Sequence, residues 1–84
     1  MFVILGFYKF KKINNLKKNK IILLNYFAKH HIRGTLIISM EGLNASISGK
    51  LKDILFIRNK IKKLFKIIKF DSENLSKTKL QPFH

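Results

Sequence analysis

Phe2–Phe10 (FVILGFYKF) is apolar at nearly every position, which predicts a central strand covered on at least one side. Lys11–Asn15 is a polar break, and Asn14 or Asn15 is placed to cap a helix. From Leu16 to His31 the apolar residues Leu16, Leu23, Leu24, Phe27 and Ala28 recur at helical spacing, with Lys17, Lys18, Lys20 and Lys29 between them. Ile21, Ile22 and Tyr26 widen that stripe, and Gly34 reads as its stop. Thr35–Met40 alternates, Glu41-Gly42-Leu43 reads as a turn with Gly42 at positive φ, and Asn44–Ser48 alternates again before Gly49. Two alternating strands around a short glycine turn form a hairpin. Leu51–Lys66 is the clearest helix: Ile54, Ile57, Ile61, Leu64 and Phe65 form one stripe and cations take the other faces. Ile67–Phe70, short and apolar, is expected as the last strand, and Asp71–His84 as a polar tail containing Pro82.

The order βαββαβ predicts an α+β, ferredoxin-like domain over residues 1–70, with residues 71–84 as tail or linker. Its antiparallel sheet would have strands one and three central, strands two and four at the edges, and both helices on one face. The expected core is Val3 or Ile4, Phe27, Leu36 or Ile37, Ile47, Ile54, Ile57, Ile61 and Leu64. Phe7 and Phe10 are expected inside as well, with Tyr8 the exposed ring. The sheet of an RNA-recognition motif stacks bases on aromatics, but the third strand here offers none.

Charge changes the picture. The 84 residues hold 18 Lys+Arg against 4 Asp+Glu, a formal net charge of +14. At 46% hydrophobic the chain can still build a core, so disorder is not implied. The implied partner is an anion, nucleic acid before membrane surface. Sixteen of the cations are Lys, a flexible point charge suited to phosphate more than to bidentate base reading. No acid precedes Glu41, and only Asp53 interrupts the second basic run, whereas ordinary helix surfaces intersperse both signs. Lys11, Lys12, Lys17, Lys18, Lys52, Lys60, Lys63 and Lys66 are the candidate contacts to an RNA backbone.

Other chemistries find little support. The chain has no Cys, which excludes disulfides, thiolate metal sites and Cys nucleophiles. No uncharged stretch approaches the roughly 18–20 residues of a membrane span, and Met1–Tyr8 lacks the marks of a signal peptide. His30 and His31 diverge on a helix and suit its C-terminal carbonyls better than a metal. No catalytic constellation, metal site or cofactor is expected. An acylphosphatase-type enzyme would need a Gly-rich, Arg-bearing loop after the first strand, where this chain has Lys11-Lys12-Ile13-Asn14-Asn15. A basic peripheral membrane protein is a further alternative, weakened because the helices need their apolar faces for the core.

Gly34–Gly49 (GTLIISMEGLNASISG) resembles the hallmark segment of the bacterial tRNA uridine hydroxylases, described as rhodanese-related proteins. FYKF at Phe7–Phe10 and PFH at Pro82–His84 sit where that family has similar residues. The resemblance implies an acylphosphatase-like N-terminal domain, followed in full-length members by a rhodanese domain. It also implies a family reaction, the oxygen-dependent hydroxylation of the tRNA wobble uridine. The rhodanese Cys loop has no counterpart here, so no catalytic residue carries over and the chain alone is expected to be inactive. The expectation is a cytoplasmic tRNA-binding module whose catalytic partner is a separately encoded rhodanese domain, or else a remnant of a truncated gene. Glu41, Gly42 and Asn44 carry over as a motif of unknown role. Its plain reading is a hairpin turn, with Gly42 for the backbone angle and Asn44 bonding the loop.

Overall fold

Val3, Leu5 and Phe7 alternate with more exposed neighbours, so the apolar run at the start of the chain does form a strand with one dry face. The computed structural model describes residues 1–78. Its elements are β1 (Phe2–Phe10), α1 (Leu16–Lys29), β2 (Arg33–Ser39), β3 (Gly42–Lys50), α2 (Leu51–Leu64) and β4 (Ser72–Thr78). All pairings are antiparallel and the strand order is β2-β3-β1-β4, with β1 and β3 central as expected. In register, Leu5 faces Ile47 and Phe7 faces Ala45, so the inward residues of the two central strands share one face. Leu23 and Phe27 of α1 and Ile54, Ile57 and Ile61 of α2 cover that face, completing a βαββαβ, acylphosphatase-like ferredoxin fold. Val3, not Ile4, is the buried member of its pair, while Leu36 and Leu64 pack against the core only partly buried.

Several local expectations are corrected. Residues 67–70 are not a strand. They form a loop from which Ile67 and Phe70 drop into the core, and Phe70 stacks on Phe7 at 4.2 Å between ring centroids. The fourth strand instead comes from the segment expected as tail, so the sheet runs on to Thr78, past the boundary drawn at residue 70. Phe10 is 75% exposed rather than buried, because as an even residue of β1 it points away from the helices. Leu24 and Ala28 also face outward on α1, leaving a narrower stripe of Leu23 and Phe27.

The turns differ too. Ser39 pairs with Gly42, so the hairpin turns on Met40 and Glu41, one residue earlier than expected, and Leu43 is already a buried strand residue. Ser39 ties this turn, its Oγ accepting from the Glu41 N–H at 3.2 Å, whereas Asn44 lies on the outer sheet face. Gly42 is needed twice over: its φ is +150°, and a Cβ there would lie 2.0 Å from the Lys9 carbonyl oxygen. Gly34 does not stop α1. It sits inside β2, where a Cβ would strike the Ser46 carbonyl of β3 at 2.2 Å. Asn15 precedes α1 in a left-handed conformation and makes no side-chain cap.

Candidate nucleic-acid interface

The two helices touch through Tyr26 of α1 and His30 at its C-terminal cap, against Asp53, Phe56 and Lys60 of α2. Later residues of α1 meet earlier residues of α2, so the helices run antiparallel. The start of α1 therefore lies beside the end of α2. The β1–α1 loop joins that same end, since the Lys11 and Ile13 N–H groups donate to the carbonyls of Glu41 and Met40 in the hairpin turn. Lys11 also donates from Nζ to the Lys66 carbonyl at 3.3 Å. One end of the molecule thus gathers Lys11 and Lys12 from the loop, Lys17 and Lys18 from α1, Lys63 from the last turn of α2 and Lys66 just beyond it. All but Lys11 are exposed. The other two candidates lie elsewhere: Lys52 begins α2 at the opposite end, and Lys60 sits midway, its Nζ 5.1 Å from the Tyr26 ring centre.

The acids are mostly engaged. Arg58 grips Glu73 of β4 with a two-pronged bond, Nε to Oε1 and Nη2 to Oε2. That bond holds the Glu73 carboxyl below its ordinary range and raises the Arg58 guanidinium. The Phe10 N–H, donating to Asp71 at 2.6 Å, is the main cause that lowers the Asp71 carboxyl, with Lys9 at 3.3 Å adding to it. Asp53 pairs with His30 Nδ1 at 3.0 Å. Among the described residues three of the four acids are thus tied to a cation or histidine, and the fourth, Glu41, lies exposed in the hairpin turn at the basic end, one carboxylate beside six lysines. Near-neighbour lysines with little local acid attract a polyanion and exclude other cations.

The sequence reading missed the His30–Asp53 link, which spans 23 residues, and counted Arg58 only as one cation of the second basic run, whereas Glu73 of an unrecognised strand holds it. The β1–α1 loop carries neither Gly nor Arg, and its Lys11 and Ile13 N–H groups bond the hairpin turn. That is not the geometry of a phosphate-cradling loop. Among the described residues no cluster of three or more His, Asp or Glu could hold a metal, and no helix is long and apolar enough to cross a membrane. The part of the family resemblance at residues 82–84 lies outside the described residues.

Residues 2–84 match the family described as the UPF0176 acylphosphatase like domain. Over its whole 84-residue length the chain is 60% identical to the tRNA uridine(34) hydroxylase of Pelagibacter ubique (strain HTCC1062), covering 28% of that relative. It is 33% identical over 70 residues to the tRNA uridine(34) hydroxylase of Anaplasma phagocytophilum (strain HZ), a match covering 83% of this chain and 23% of the relative. The same-named protein of Buchnera aphidicola subsp. Schizaphis graminum is 33% identical over 57 residues, or 68% of this chain and 18% of the relative. The chain thus spans well under a third of the length of these curated relatives. Matched along nearly its full length, and folded as that description requires, the chain belongs to the UPF0176 acylphosphatase-like domain family.

Proposed function

We propose that this domain is the tRNA-holding part of a cytoplasmic tRNA wobble-uridine hydroxylase. It grips phosphates while a rhodanese-type domain, on the same polypeptide or a separate one, supplies the reacting groups. The observation that carries this reading is the gathering of Lys11, Lys12, Lys17, Lys18, Lys63 and Lys66 at one end by antiparallel helices. The family relatives named as tRNA hydroxylases support the choice of tRNA as the polyanion. Lysine contacts to phosphate give affinity without sequence reading, so different tRNAs should bind within a small factor of one another.

The test compares two pairs of charge reversals in tRNA binding across a salt series. Wild type should show log K falling linearly with log salt, by about 0.7–0.9 per phosphate neutralised. Lys17→Glu with Lys63→Glu should weaken binding and flatten that slope. Lys29→Glu with Lys52→Glu, at the opposite end, should change both much less. Each pair puts one acid in a first helical turn, at Lys17 or Lys52, which the dipole favours, and one in a last turn, at Lys63 or Lys29, which it disfavours, so the two pairs perturb the helices alike and a difference in binding reports position. Affinity indifferent to salt, or equal losses from both pairs, would refute the localisation to this end.

A further inference from the structure

We infer that the open face of the sheet around Tyr8 and Phe10 is a stacking platform for unpaired bases of the bound RNA. This rests on the phosphate-holding reading above and extends it from backbone to base. The helices cover one face of the sheet, and the strand register defines what the other presents. Ser72, Tyr8, Asn44 and Ile37 lie side by side across all four strands. The next row toward the chain start is Asn74, Gly6, Ser46 and Thr35. Tyr8 and Phe10, two residues apart on β1, therefore stand on the same face, 42% and 75% exposed, with ring centroids 5.4 Å apart.

Three features favour bases over a protein partner on this face. First, the backbone carrying the rings is fixed: Tyr8 is paired to Asn44 on one side and Ser72 on the other, while Phe10 is paired to Gly42 and its N–H is held by Asp71, so little main-chain freedom is left to lose on stacking. Second, apart from the rings themselves and Ile37, the side chains paired around them are hydroxyls and amides: Ser72, Asn44, Asn74, Ser46 and Thr35. Asn44, flanked by Tyr8 and Ile37, offers both a donor and an acceptor, as a base edge requires. A protein interface would need a larger dry centre. Third, no carboxylate stands on this face among the paired strand residues: Glu41 lies at its rim in the hairpin turn, Asp71 is held by the Phe10 N–H and Lys9, and the chain runs straight from Phe10 into Lys11 and Lys12 at the basic end. A strand whose phosphates follow those lysines brings its bases over the rings.

The experiment measures binding of the 84-residue chain to a single-stranded RNA oligonucleotide and to an abasic oligonucleotide of equal length. Wild type should prefer the base-bearing strand by roughly 10-fold or more, the scale of one or two stacked bases. Tyr8→Ala with Phe10→Ala should abolish that preference and leave the salt slope unchanged. Phe10→Trp should keep the affinity and, as the sole tryptophan in a chain that has none, be quenched on RNA addition. Should the alanine pair fail to fold by circular dichroism, the abasic comparison and the Phe10→Trp signal still decide. Equal binding of both oligonucleotides by wild type, or an unquenched tryptophan at saturation, would overturn the stacking platform while leaving the phosphate reading standing. Absence of any RNA binding would overturn both.

Discussion

His31 and Lys66 stand at φ 53° and 55°, left-handed values that side chains other than glycine adopt reluctantly. Each is the turning residue at the end of a helix. The Ile32 N–H reaches back to the Phe27 carbonyl at 2.9 Å and the His31 N–H to Ala28, while Ile67 reaches Lys62 at 2.8 Å and Lys66 reaches Lys63. These paired bonds are the Schellman motif, and the buried Ile32 and Ile67 supply its apolar contact. The motif normally recruits glycine, which is why Gly34 looked like the helix stop while the true one, three residues earlier, carried no visible sign. Relief of the left-handed strain predicts that His31→Gly stabilises the domain by about 1 kcal/mol in urea unfolding. Lys66→Gly should stabilise similarly yet weaken tRNA binding, so the two quantities should move in opposite directions for that variant.

At the level of elements, α1, α2 and the hairpin were legible because each repeats its apolar positions over several residues. The fourth strand was not. SENLSKT has no apolar alternation, and every residue of β4 except Thr78 is exposed. What holds it is the backbone ladder to β1, together with the Asp71 carboxylate on the Phe10 N–H and the Arg58 fork on Glu73, none of which leaves a periodic trace. The apolar residues 67–70 competed for the role because core-filling turn residues look like a short strand. The Arg58 fork makes β4 acid-sensitive. With the Glu73 carboxyl lowered by folding, its contribution is complete above the ordinary value of 4.5 and drains away as pH falls through the folded value. Glu73→Gln should therefore lower the urea midpoint at pH 6, with the gap to wild type closing as the pH is taken down toward 3.

Taken whole, the molecule carries +14 on a small fold, and like charges at its basic end repel. Raising salt from about 0.01 to 0.15 M shortens the screening length from roughly 30 to 8 Å, so Tm should rise over that range, read by circular dichroism. A fall would show that the ion pairs outweigh the repulsion. The abundance of lysine was plain in the sequence, but its concentration at one end was not, because that depends on the antiparallel packing of α1 against α2. The outward Phe10 was hidden for a related reason: a run apolar on both faces does not say which residues the helices will cover. The strand order has a consequence for synthesis. β1 is made first, yet its outer edge is closed only by β4, with Phe2 opposite Thr78. In between, nine residues bearing a single charge wait uncovered, the kind of segment that recruits copies of itself. The polar β4 is thus a shield, presenting later arrivals with Glu73, Lys77 and hydroxyls where bare FVILGFYKF would otherwise be. Chains released before residue 72 should aggregate through that first strand, however well their helices form.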